Sequence, residues 1–203
     1  MVVPVKESAW AKSRLAPPHP LSRPALARAV AEDTLEQVCR ALPAAQVVVV
    51  TSDDHARTVA RRLGATVVTD RGAGLNAAVR AGLEASTTGV GRQEEAGWAV
   101  LLGDLPALRA EDLVAALESC AAHPTCVVPD AEGTGTVLLT STVGPPQPRF
   151  GPGSAARHAL AATLLALDLP RLRRDVDTAA DLATAMSLGV GPRTAAALGR
   201  PDD

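Results

Sequence analysis

Aromatic side chains are almost missing from this chain. They make up 1% of its 203 residues, with no tyrosine and a single phenylalanine, Phe150. Hydrophobic residues still account for 47%, so the core must be built from Ala, Val and Leu. Lysine is nearly absent too. Of the twenty basic residues, eighteen are Arg, and only Lys6 and Lys12 are Lys. Asparagine occurs once, at Asn76, and isoleucine not at all. This pattern fits the coding bias of a GC-rich bacterial genome. The few residues of the depleted types then mark positions where chemistry resists replacement. No excess of charge exists either: the net charge is −2 and the pI about 6.1, which argues against a broad nucleic-acid footprint. Cys39, Cys120 and Cys126 are odd in number and lack metal-ligand spacing, as expected for small residues of a reducing compartment. No run is long and apolar enough to span a membrane, and the N-terminus lacks a charged segment followed by an apolar one. These absences predict a cytoplasmic protein without membrane or nucleic-acid partners. His19, His55, His123 and His158 show no ligand spacing, and no Walker-type glycine loop is present, which disfavours a P-loop ATPase.

What is present alternates strand and helix. Val2–Val5 reads as a first strand, followed by a proline-rich loop over 6–23 and a helix over 24–42. The β-branched run Val47–Val50 is the mark of a strand buried on both faces. Asp53 or Asp54 can cap a helix that stops at Gly64. Thr66–Thr69 and Trp98–Leu102 are further strands, with helices over Leu75–Glu84 and Ala110–Ala121. Cys126–Val128 and Thr136–Thr140 read as strands joined by a glycine turn. Ser154–Ala162 reads as a helix, Thr163–Leu167 as a short strand, and Thr178–Ser187 and Pro192–Leu198 as helices. This order predicts a single α/β domain over 1–203, its mostly parallel mixed sheet flanked by helices, with antiparallel strands near one edge. Ligands in such folds sit beyond the carboxyl ends of the strands.

Several segments could carry chemistry there. Lys6, Lys12 and Arg14 follow the first strand and could offset much of a bound triphosphate; the bland reading is a loop with surface cations. Asp104 follows a buried strand, where a carboxylate can hold Mg²⁺ against phosphate; otherwise it is a turn residue. Asp175 and Asp177 alternate and would point the same way in an extended segment, or Asp177 merely caps the next helix. Gly133–Thr136 and Phe150–Ser154 are small-residue segments that let a ligand approach the backbone, with Ser154 opening a helix. Their bland readings are a hairpin turn and an N-cap. Asn76 offers an amide suited to a ribose or base edge, or else to a helix cap.

In order along the chain, V-P-V-K, A-K-S-R-L-A, G-L-N-A-A-V, L-L-G-D-L-P, G-T-G-T, F-G-P-G-S and D-V-D-T closely resemble the phosphoenolpyruvate / 2-phospho-L-lactate guanylyltransferase family of deazaflavin coenzyme F-420 biosynthesis. The resemblance runs from about Val2 to Gly189. It implies a Rossmann-like nucleotidyltransferase fold and transfer of GMP from GTP to a small phosphorylated acid, with release of pyrophosphate. It further implies Mg²⁺ held by Asp104, Asp175 and Asp177, with Lys12 and Asp104 catalytic. Lys6, Lys12, Arg14 and Asn76 would face the nucleotide, and Thr136, Gly151 and Ser154 the acid. The first strand begins almost at Met1, as a shortened N-terminus would. The acid could be phosphoenolpyruvate, 2-phospho-L-lactate or a phosphoglycerate, and a GC-rich bacterial source favours the first. A downstream transferase would accept the activated product. Two other readings remain: a molybdopterin or sugar-phosphate nucleotidyltransferase on the same scaffold, and a non-catalytic nucleotide-binding module.

Overall fold

The computed structural model describes residues 1–7, 21–88 and 97–199. The strands are β1 (Val2–Val5), β2 (Val48–Thr51), β3 (Thr66–Thr69), β4 (Trp98–Leu101), β5 (Thr125–Pro129), β6 (Thr136–Ser141) and β7 (Thr163–Leu164). The α-helices are α1 (Arg23–Ala41), α2 (Asp54–Arg62), α3 (Leu75–Thr88), α4 (Ala110–Ala121), α5 (Ser154–Ala159), α6 (Pro170–Arg173), α7 (Ala179–Leu188) and α8 (Pro192–Ala197). The strands form one sheet in the order β3-β2-β1-β4-β6-β5-β7. Only β6 runs against the others, pairing antiparallel with both β4 and β5. The antiparallel strand predicted near an edge therefore lies inside the sheet, with β5 and β7 beyond it.

Strand alternation sorts the aliphatic side chains to two faces. Val3, Val5, Val49, Leu101, Val128 and Leu138 join one core cluster with α1, α2 and α4. Val2, Val48, Val50, Val100, Val127 and Leu139 join the other with α3 and Phe150. The five strands β1, β2, β4, β5 and β6 are thus apolar on both faces, which is why Val47–Val50 reads as an unbroken run. Helix ends follow local chemistry. Asp53 caps α2 by accepting from the Ala56 N–H at 3.0 Å, and Gly64 ends that segment at φ +83°.

Two features shape the sheet's carboxyl end. Pro4 cannot donate a ladder bond, and β1 pairs with β4 only through Val2 and Val100. Past that point Gly103 approaches β1 so closely that a Cβ there would lie 2.9 Å from the Pro4 carbonyl oxygen. Only glycine fits immediately before Asp104. Then α6, which has no periodic signature and was not expected from the sequence, places Arg173. Its guanidinium donates to the carbonyls of Pro129, Asp130 and Leu167 at 2.8–3.1 Å. With the Ala131 N–H bonded to the Arg173 carbonyl and the Val176 N–H to the Asp104 carbonyl, this draws residues 173–177 across the ends of β4 and β5.

Candidate active site

The carboxyl ends of β4 and β5 are followed by Asp104 and Asp130, and the 173–177 segment lays Asp175 and Asp177 beside them. Val176 is fully buried between the two, Asp175 is half-buried and Asp177 is exposed. Burial, then the neighbouring carboxylates of Asp104, Asp130 and Asp177, push the Asp175 pKa from 3.8 up to about 7. A carboxylate so placed calls for a proton or a cation. Asp130, Glu132 and Asp175 also offer oxygens that lie within 4.8 Å of one another. This donor set of hard oxygens fits Mg²⁺ or a similar ion.

The sequence grouped Asp104, Asp175 and Asp177; the structure adds Asp130 and Glu132, which the sequence reading missed. The two new members are partly committed elsewhere. Asp130 accepts the N–H groups of Thr134 and Gly135 at 2.8 and 2.7 Å, and Glu132 is paired with Arg174 at 2.6 Å. Asp175 is the member common to both groupings. A signal for Asp130 existed: V-V-P-D leaves β5 as L-L-G-D leaves β4. The expectation that Asp177 might cap α7 is corrected. Thr178 is the N-cap, in a reciprocal capping box with Asp181, so the Asp177 side chain is not used for that purpose.

Lys6 stands exposed just beyond β1, one strand from Asp104. Lys12 and Arg14 lie outside the described residues. Asn76, expected against the nucleotide, instead clamps a distant segment. Its Oδ1 accepts from the Phe150 N–H at 2.8 Å and its Nδ2 donates to the Phe150 carbonyl at 3.1 Å.

The segment it holds is the second half of the site. Thr136, Ser154 and His158 are all buried. Ser154 Oγ donates to Thr136 Oγ1 at 3.0 Å, and Thr136 Oγ1 lies 2.9 Å from His158 Nδ1. The backbone N–H of Arg149 donates to His158 Nε2 at 2.8 Å. Nε2 is therefore an acceptor, and in a neutral ring the hydrogen sits on Nδ1, facing Thr136. Burial, with the Arg157 and Arg149 charges, lowers the His158 pKa to about 4, so the ring is neutral at pH 7. Phe150 packs edge-on against it, centroids 5.0 Å apart. The two hydroxyls thus belong to a buried knot, while Gly151 and Gly153 are exposed at φ +118° and +70°. Of the other glycine segment, Gly133 makes the turn after β5 at φ +77°, and Gly135 packs on the Asp130 carboxylate, where a Cβ would meet Cγ at 3.1 Å. That is the hairpin-turn role. Ser154 is the first residue of a six-residue helix with Gly153 as its N-cap, so it is not itself a cap.

Two kinds of comparison bear on this arrangement. The family model for the MobA-like NTP transferase domain matches residues 23–168. The chain is 52% identical to a phosphoenolpyruvate guanylyltransferase of Salinispora arenicola, over 96% of this chain and 91% of that one. It is 46% identical to the phosphoenolpyruvate guanylyltransferase of Streptomyces coelicolor, over 98% and 95%. Solved structures share the fold at low identity. One from Desulfovibrio desulfuricans G20 has a TM-score of 0.60 at 18% identity, covering 100% of this chain and 97% of that one. A cytidylyltransferase from Leptospira borgpetersenii has a TM-score of 0.55 at 13% identity, covering 92% and 84%.

Proposed function

Because the chain belongs to the phosphoenolpyruvate guanylyltransferase family of MobA-like nucleotidyltransferases, we propose that it transfers GMP from GTP to phosphoenolpyruvate and releases pyrophosphate, in the cytoplasm, as a step of deazaflavin coenzyme F-420 biosynthesis. The observation that carries the reading is the crowding of Asp104, Asp130 and Asp177 around Asp175 at the ends of β4 and β5. A nucleotidyltransferase must bring two phosphate groups together, and a surplus of carboxylates at strand ends is what a cation between phosphates requires. The base and the acid come from what the relatives are named for.

In this reading a phosphate oxygen of phosphoenolpyruvate attacks the α-phosphorus of GTP. The bond from that phosphorus to the bridging β-phosphate oxygen breaks, and pyrophosphate leaves. The attacking oxygen is already ionised near pH 7, so no general base is needed. Asp104, Asp175 and Asp177 would hold Mg²⁺, with Asp130 and Glu132 beside them. A bound Mg²⁺ supplies charge neutralisation for the reacting phosphates. Lys6, Lys12 and Arg14 face the triphosphate, with Lys12 the residue that helps stabilise charge on the leaving group. Asn76 contributes through the Phe150 backbone it holds. The acid's carboxylate sits against Gly151, with Thr136 and Ser154 beneath it fixing the loop. The activated product would pass to a downstream transferase.

The test is pyrophosphate release from GTP with phosphoenolpyruvate, 2-phospho-L-lactate and 3-phosphoglycerate, with and without Mg²⁺, followed by mass analysis of the product. Turnover with phosphoenolpyruvate and dependence on the metal are expected. Turnover only with a sugar phosphate or a molybdopterin would reassign the acceptor. GTP binding without turnover on any acceptor would leave a nucleotide-binding module.

A further inference from the structure

The loop from Arg149 to Ser154 has an unusual distribution of hydrogen bonds. All five carbonyls from Arg149 to Gly153 receive internal donors. The Arg149 carbonyl takes Arg157 Nε and Nη2 at 3.2 and 2.9 Å, and the Phe150 carbonyl takes Asn76 Nδ2. The Gly151 carbonyl takes the Ser154 N–H at 3.0 Å. The Pro152 carbonyl takes Arg157 Nη1, and the Gly153 carbonyl takes the Arg157 N–H at 3.4 Å. The N–H groups are treated differently. Those of Arg149 and Phe150 are used by His158 and Asn76, Pro152 has none, and those of Gly151 and Gly153 meet no acceptor among the described residues. What the loop has left to offer is donors.

One side chain satisfies two of the five carbonyls. Arg157 spends all three guanidinium nitrogens on two loop carbonyls. The group lies on the side where Gly151 and Gly153 would carry a Cβ: such atoms would be 3.5 Å from Nη2 and 3.7 Å from Nη1. Carbonyl oxygens turned toward a bound anion would repel it, whereas N–H groups attract it. A guanidinium suits the task because its fork can satisfy several oxygens at once.

We propose that Arg157 is a positioning residue for the acid substrate: by tying down the Arg149 and Pro152 carbonyls it makes the Gly151–Gly153 turn a surface of N–H donors, with a fixed positive charge behind it. This rests on the reading that the loop receives the acid's carboxylate. The arginine acts through the backbone rather than by contact with the acid.

Steady-state kinetics on the full-length enzyme with GTP, Mg²⁺ and phosphoenolpyruvate test it, using Arg157→Met, Arg157→Lys and Gly151→Val. Arg157→Met should raise the KM for phosphoenolpyruvate about tenfold or more, the scale for losing charge-assisted hydrogen bonds, while the KM for GTP stays within about twofold. Arg157→Lys keeps the charge but cannot span both carbonyls, so it should recover only part of the loss. A normal KM for phosphoenolpyruvate in Arg157→Met overturns the proposal, as does an equal rise in the KM for GTP. If Arg157→Met does not fold, as judged by its thermal melt, Arg157→Lys decides, and wild-type KM there overturns the proposal. Gly151→Val separates the two levels. If it leaves the KM for phosphoenolpyruvate unchanged, the loop is not the acid subsite and the proposal falls with that reading. If it raises that KM while Arg157→Met does not, only the role of Arg157 is lost.

Discussion

The two halves of the candidate site solve opposite electrostatic problems. Around Asp175, like charges are crowded until one carboxyl is held near neutrality. Around Gly151, every loop carbonyl is satisfied and two amide donors remain. The first half is unbalanced by itself and could be completed by a bound cation. The second is completed by its own side chains, Asn76, Arg157 and His158, before anything binds. An acid with a phosphate at one end and a carboxylate at the other suits that contrast. Its phosphate needs a cation, and its carboxylate needs only rigid dipoles.

The contrast can be broken most severely at the carboxylates. Asp104→Asn should lower kcat by about a hundredfold or more, the scale for losing a preorganised charge contact in the transition state, with the KM for phosphoenolpyruvate little changed. A loss below about threefold would remove Asp104 from the catalytic group. Gly151→Val tests the other half. A branched residue at φ +118° is strained whatever space is available. Calorimetry should show phosphoenolpyruvate binding weakened at least about tenfold, with GTP binding in Mg²⁺ retained. The reverse pattern would exchange the two subsites.

A third measurement sharpens the difference through pH. The Asp175 pKa is raised from 3.8 to about 7, so its protonated form favours the metal-free fold. That contribution is complete below about 4 and is lost as pH rises through about 7. Added Mg²⁺ should therefore raise the melting temperature more at pH 8 than at pH 6, where it competes with a proton. Asp175→Asn should abolish the pH dependence of that rise. Equal shifts at both pH values, in wild type and variant, would show that the cation binds elsewhere. The smallest effect belongs to the loop half. The His158 pKa falls from 6.5 to about 4, so its contribution is complete above about 6.5 and is lost as pH drops through about 4. His158→Gln should flatten the decline in urea midpoint between pH 6.5 and 4. An unchanged slope would mean that the ring does not titrate as its surroundings dictate.

What could be read from the sequence follows a physical divide. Strands buried on both faces announce themselves as apolar runs, and a carboxylate just beyond one is visible as a site, which is how Asp104 stands out, whereas Asp175 shows only through its alternation with Asp177. Short-range chemistry was legible too, as at Asp53 and Gly64. Contacts that join distant segments were not. Asn76 looks like a nucleotide ligand until the backbone of Phe150, 74 residues away, is seen in its grip. Thr136 and Ser154 look accessible because small hydroxyl residues beside glycines often are, yet His158 buries them. Arg173 and Arg157 are two among eighteen arginines, and only their carbonyl partners distinguish them from surface charge. Helix α6, four residues opened by Pro170, is too short for periodicity to register.

The pairing of the first and last helices has a consequence in time rather than in chemistry. Asp33, on α1, is 2% exposed, and its oxygens accept the N–H groups of Arg193 and Thr194 at 3.0 and 2.8 Å. Those partners lie 160 and 161 residues downstream. On a ribosome, α1 emerges long before them, and its carboxylate has to stay in water until they arrive. Gly191 guards the joint: a methyl group there would lie 2.6 Å from Asp33 Oδ1. Until Gly191–Thr194 are made and docked, Asp33 has no backbone donors to bury it and the side of α1 that α8 covers stays open, so this joint can close only late in synthesis.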